Sequence, residues 1–182
     1  MLLALALLVC APAAESKSEG PLTLTGRIER VGTVYTPALN LVTDDGHRYD
    51  VLGDLSSELA RLEGGARLEV KALKEKSGSL LPRVRVASYK IVELPGGAKP
   101  EVGIVELEGE SVVLRVEPTG KLTLSDTPVA QRLKGHAGEK VWVVGKTSSQ
   151  GLFKVWRVGF LGTPASAKSP QAASQAASQP TP

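Results

Sequence analysis

The sequence predicts an all-β protein made of two small five-stranded units in tandem, each with one short helix. Three observations predict it. Aromatic residues are 4% of the chain and hydrophobic residues 42%, so the core is built from Val, Leu, Ile and Ala, and β-branched side chains suit a pleated, half-buried surface. Apolar residues recur at every second position over several stretches, the period of a strand with one buried face. The same order of elements occurs twice, on either side of Pro95-Gly96-Gly97-Ala98-Lys99-Pro100, a linker over 95–100.

The first unit covers 22–94. Its opening strand runs over 22–31, with alternating Leu22, Leu24 and Ile28. Strands at 39–43 and 48–52 are joined by Asp44-Asp45-Gly46, a strong hairpin-turn signal. Ser56 to Leu62, followed by Gly64 and Gly65, reads as a short amphipathic helix with a polar start and a glycine stop. Strands at 67–73 and 83–92 close the unit around a polar loop over 75–79.

The second unit, 101–162, repeats this order. Its strands fall at 102–107, 112–116, 121–124, 140–144 and 153–158. Thr127-Pro128 starts the helix, with proline where its missing N–H costs nothing, and Leu133 to Gly135 ends it. Both units hold a glycine early in the first strand (Gly26, Gly103), and both end the helix Leu-x-Gly. This element order resembles the OB-fold, a five-stranded Greek-key barrel with its helix between strands three and four. The resemblance covers both units and rests on element order, not on a diagnostic motif. It is greatest to exported bacterial OB-fold domains, and it implies a role in binding and not in chemistry. Another small barrel or sandwich is the competing architecture.

The ends differ from the units. Residues 1–14 form an apolar run closing on Ala11-Pro12-Ala13, the pattern of a secretory signal cleaved after Ala13 or Ala14. The run is too short to span a bilayer, and it lacks the usual preceding Lys or Arg. A polar linker over 15–21 follows. Cys10, the single cysteine, leaves with such a signal, so the mature chain has no disulfide. Alternatively Leu7-Leu8-Val9-Cys10 is an imperfect lipobox and Cys10 is the lipidation site. Residues 163–182 are Ala, Ser, Gln, Pro, Thr, Gly-free and with one Lys, including a direct Gln-Ala-Ala-Ser repeat; lacking large apolar side chains, this tail is expected to be disordered.

No constellation for catalysis is legible. His47 and His136 fall at turns in different units, no cysteine is at hand for a zinc site, and no glycine-rich phosphate loop occurs. The expectation is a protein with no catalytic residues, no cofactor and no metal. Net charge is +3 with pI near 9.0, well short of the charge density of a dedicated nucleic-acid binder.

Binding candidates are few. In the first unit Tyr49, with Arg83, Arg85 and Tyr89 on one alternating face of the closing strand, offers cations among aromatic rings, as a single-strand binder does. An ordinary solvated face accounts for the same pattern. In the second unit Trp142 and Trp156 lie on the two closing strands among Lys140, Lys146 and Lys154. Exposed, the pair would anchor a partner; the blander reading packs them against the first unit or plugs a barrel end. The sequence therefore points to a non-catalytic exported binding module, periplasmic or secreted, whose partner is an envelope protein or a small anionic ligand. One alternative is a lipid-anchored envelope structural protein, in contact with a membrane only if Cys10 is lipidated. The other is a weak binder of single-stranded nucleic acid or polyanions, which export disfavours.

Overall fold

The computed structural model describes residues 20–33, 37–76, 80–118 and 120–163. The expected signal and alternative lipobox with Cys10, the loop tip 77–79 and the tail beyond Thr163 lie outside these residues.

The first unit contains β1 (Leu22–Gly32), β2 (Pro37–Thr43), β3 (Arg48–Leu52), α1 (Ser56–Leu59), β4 (Arg67–Glu75) and β5 (Arg83–Glu93). Its strands form a closed barrel in the order β1-β2-β3-β5-β4. Closure is made by parallel pairing of β3 with β5 over Asp50–Arg83, Val51–Val84 and Leu52–Arg85. The second unit contains β6 (Glu101–Glu108), β7 (Ser111–Val116), β8 (Gly120–Thr123), α2 (Pro128–Leu133), a 3-10 turn (Lys134–His136), β9 (Lys140–Thr147) and β10 (Phe153–Gly162). Its sheet has the matching order β10-β9-β6-β7-β8. Here the closing seam is a single parallel bridge, Leu124 to Phe153. Both units therefore have the OB-like strand order, with the helix between the third and fourth strands.

The repeated glycine has a geometric cause. β1 pairs with β4 over its first half and with β2 over its second, and Gly26 lies in both ladders. β6 is shared in the same way between β9 and β7, with Gly103 in both. Where one strand crosses between two partners the chains crowd. A Cβ on Gly26 would meet the Val42 carbonyl oxygen and lie 2.7 Å from the Thr43 Cα, and one on Gly103 would meet the Arg115 carbonyl oxygen.

Helix α1 is shorter than the sequence suggests. Only Ser56–Leu59 is α-helical. Arg61 N–H donates to the Glu58 carbonyl and Leu62 N–H to that of Leu59, both three residues back, so the chain tightens before Gly65 turns at φ 85°. Helix α2 starts as expected: the Thr127 hydroxyl caps it by accepting from Ala130 N–H at 3.1 Å, with Pro128 in the first turn.

Each unit has its own core. Ile28, Leu41, Leu59, Leu62, Leu68 and Val70 are fully buried in the first. Val105, Leu114, Leu133, Val141, Val143 and Val155 are buried in the second. Period two along β9 turns Val141 and Val143 into their own barrel and Trp142 and Val144 to the opposite side. That side is buried as well, because Trp142, Val144 and Leu161 pack into the core of the first unit. The two units thus share one apolar interface.

Candidate functional site

Polar groups frame that interface. The Glu58 carboxylate, 9% exposed, accepts from the Tyr89 hydroxyl and from Lys140 Nζ, each at 2.5 Å. Lys140 Nζ also lies 4.9 Å from the centre of the Tyr89 ring. Arg157 bridges to Glu63, donates to the Pro95 carbonyl at 3.4 Å, and lies 5.6 Å from the Trp142 ring centre. Burial, and then the Glu58 carboxylate, push the Tyr89 hydroxyl well above the ordinary tyrosine value of 10.0. The folded pKa is raised, so the contribution to stability is complete below the unfolded value and is lost as pH rises above it. The expected result is that the absorbance change missing from Tyr89→Phe develops only with alkaline unfolding. Ionisation of Tyr89 in folded protein near its ordinary pKa contradicts this.

The sequence-predicted residues separate into two groups. Arg83 bonds Asp50 at 3.2 Å and Arg85 bonds Glu75 at 2.6 Å, so both cations are engaged along the barrel seam. Tyr49 packs half-buried against the first core. Tyr89 does not share the face of Arg83 and Arg85, which corrects the simple alternation. Ser88 faces Lys71 and Val86 faces Ala72, so Ala87 is an extra residue, and this bulge turns Tyr89 toward the core beside Val70. Nor do the tryptophans form a pair. Trp142 is 2% exposed and faces Gly159 across the ladder, its ring lying where a Cβ on Gly159 would sit. Val155 faces Gly145 and Arg157 faces Val144, so Trp156 is the extra residue of a second bulge and stands 58% exposed.

Trp156 opens onto a cleft of about 450 Å³ with Arg132, His136, Arg157, Val158 and Phe160, between β10 and the α2 end. His136 packs at a tilt against Phe160, ring centres 4.3 Å apart, and its Nδ1 lies 3.2 Å from a Glu139 carboxylate oxygen. Lys154 precedes Trp156 by two residues, so it shares its face about 7 Å along the strand. It lies opposite Lys146 on β9. Charge is segregated across the unit: residues 126–163 hold six Lys or Arg and two Asp or Glu, residues 101–125 two and five. The cleft combines an exposed ring, a tilted pair of rings in contact and cations, which suits a partner with negative charge and flat or apolar surface. Sequence reading found Trp156 but missed Arg132, His136 and Phe160, because the turn after α2 and the far end of β10 meet only in the fold.

The turn carboxylates have local employment. Asp44 bonds Arg67 at 2.5 Å. The Thr43 hydroxyl, and then His47, hold the Asp45 carboxyl below its ordinary range. Among the described residues no three His, Cys, Asp or Glu side chains cluster as metal ligands, and no helix is long and apolar enough to cross a membrane.

No protein-family profile matches this sequence, and no curated protein matches it. Among solved structures, it is similar to the wild-type single-stranded DNA binding protein from Thermus aquaticus, at 18% identity and a TM-score of 0.25, covering 76% of this chain and 88% of that one. A deletion variant of the same protein gives 18% identity and a TM-score of 0.26, over 76% and 92% of the two chains. The OB-like topology of this chain rests on its own strand order.

Proposed function

We propose that the chain is a non-catalytic, exported binding module of the cell envelope that holds an anionic partner on the cleft between α2 and β10. The observation that carries this reading is Trp156: a large aromatic side chain 58% exposed at a bulge, with Arg132 and Lys154 near it and no acidic partner for either cation among the described residues. Export is supported by the apolar run over 1–14. A lipid-anchored form is the alternative for that half of the reading. Intact mass separates the two: a soluble chain starting at Ala14 or Glu15 against a membrane-bound chain starting at Cys10 with acyl mass.

The binding half is tested by fluorescence titration with heparin and with oligothymidylate at low salt. Trp142 is buried and Trp156 exposed, so the emission change reports on Trp156. Trp156→Ala, read by anisotropy of an end-labelled oligothymidylate because the variant lacks the reporting ring, is expected to weaken binding about 10-fold, since stacking of one base contributes ~1–3 kcal/mol. Affinity should fall with log salt by about 0.7 per phosphate neutralised. A ring beside paired lysines favours the single-strand alternative among polyanions. Binding of neither probe, or binding indifferent to Trp156, rejects the cleft as the site.

A further inference from the structure

The bulges at Ala87 and Trp156 align β5 with β10, so Tyr89 corresponds to Val158 and Ile91 to Phe160. The Leu-x-Gly helix ends align Leu62 with Leu133 and Glu63 with Lys134. The face formed by α1 and β5 in the first unit is thus the counterpart of the α2–β10 cleft in the second. In the first unit that face is a protein interface, covered by Trp142 and Val144, with Arg157 on Glu63. In the second unit no described residue covers it, and its charge is inverted, with Lys134 in place of the carboxylate and Arg132 and His136 alongside. The occupant expected from this equivalence is a protein surface with an apolar side chain set among carboxylates.

One such surface is on this chain. The β6–β7 hairpin carries Glu106-Leu107-Glu108-Gly109-Glu110, with Leu107 46% exposed and the Glu110 side chain wholly so. Leu107 and Trp156 are the second unit's two exposed large hydrophobics among the described residues. The hairpin lies next to the cleft, because Glu110 reaches to 3.5 Å from Lys134, the residue that follows α2. Its carboxylates pair only with exposed Arg115 and Lys121 and half-buried Lys134, and surface pairs of this kind exchange readily for others. A face that holds both a cleft and its complement is self-complementary, and self-complementary faces close about a two-fold axis.

We propose that two copies of this chain pair about a two-fold axis, the Leu107 hairpin of each seated in the α2–β10 cleft of the other. Leu107 meets Trp156 and Phe160, and the hairpin carboxylates face Arg132 and His136. This rests on the cleft being the binding surface. The test is sedimentation equilibrium of the full chain from micromolar to near-millimolar concentration, with folding of each variant checked by circular dichroism. The expected result is a dimer mass for the native chain. Leu107→Ser and Trp156→Ala, both on exposed side chains, should each weaken the dimer at least 10-fold. Arg132→Glu should do the same, and adding Glu108→Arg to it should restore pairing. A monomer at every concentration overturns the dimer, as does a dimer indifferent to Leu107 and Trp156. A monomer that still binds heparin or oligothymidylate through Trp156 overturns the pairing alone and leaves the cleft as a polyanion site. A monomer with no Trp156 response to either probe overturns both.

Discussion

Trp142→Ala is expected to destabilise the protein by about 3–5 kcal/mol, the usual cost of truncating a buried aromatic side chain. For a chain of this size that lowers the melting temperature by roughly 10 °C or more. Trp142 is 2% exposed and belongs to the core of the first unit although it stands on β9 of the second. The cavity would open between the units, where Glu58, Lys140, Arg157 and Glu63 also meet. The loss should therefore appear in calorimetry as a split of one transition into two, since the interface that couples the units is the part removed. Trp156→Ala serves as the contrast, because an exposed side chain away from such features changes stability by only about 0.5 kcal/mol. Equal effects of the two substitutions would contradict the assignment of Trp142 to the shared core.

Gly26→Ala and Gly103→Ala should each cost about 1–3 kcal/mol, the range for forcing an added carbon into a packed site. The added carbon would meet backbone of the neighbouring strand in both cases: Val42 and Thr43 at Gly26, Arg115 at Gly103. Backbone in a ladder cannot rotate away as a side-chain end can. Gly64→Ala and Gly135→Ala are the controls. Nothing lies within 4 Å of a Cβ at either position and neither needs a positive φ, so alanine there should be neutral or should stabilise by about 0.4–1 kcal/mol through the unfolded chain. Urea unfolding of the four variants checks the pattern. A strand-one glycine that accepts alanine as easily as a helix-end glycine would contradict the crossing geometry.

Much of the fold was legible because its signals are local. Alternation marked several strands, Asp44-Asp45-Gly46 marked a hairpin now closed by Gly46 N–H on the Thr43 carbonyl at 2.9 Å, and Thr127-Pro128 marked the start of α2. The repeated strand-one glycine was visible as a pattern, though its reason was not. Bulges were invisible. They depend on which residue of β4 or β9 ends up opposite, and one extra residue reverses the face of everything beyond it. That is why Tyr89 left the face of Arg83 and Arg85; Trp142 and Trp156 parted because the first unit covers Trp142 and leaves the bulged Trp156 outside.

By itself the sequence determined the all-β class, the doubled five-strand order and the placement of both helices, since each follows from periodicity and turn chemistry within a few residues. Only the tertiary structure decided which tryptophan is buried and which is free. It also decided that Arg83 and Arg85 are engaged by Asp50 and Glu75, and that Arg132, His136 and Phe160 gather around Trp156. These outcomes depend on contacts between segments distant in the chain. The decisive one is the burial of β9's outer face by the first unit, a face that alternation alone would leave to solvent.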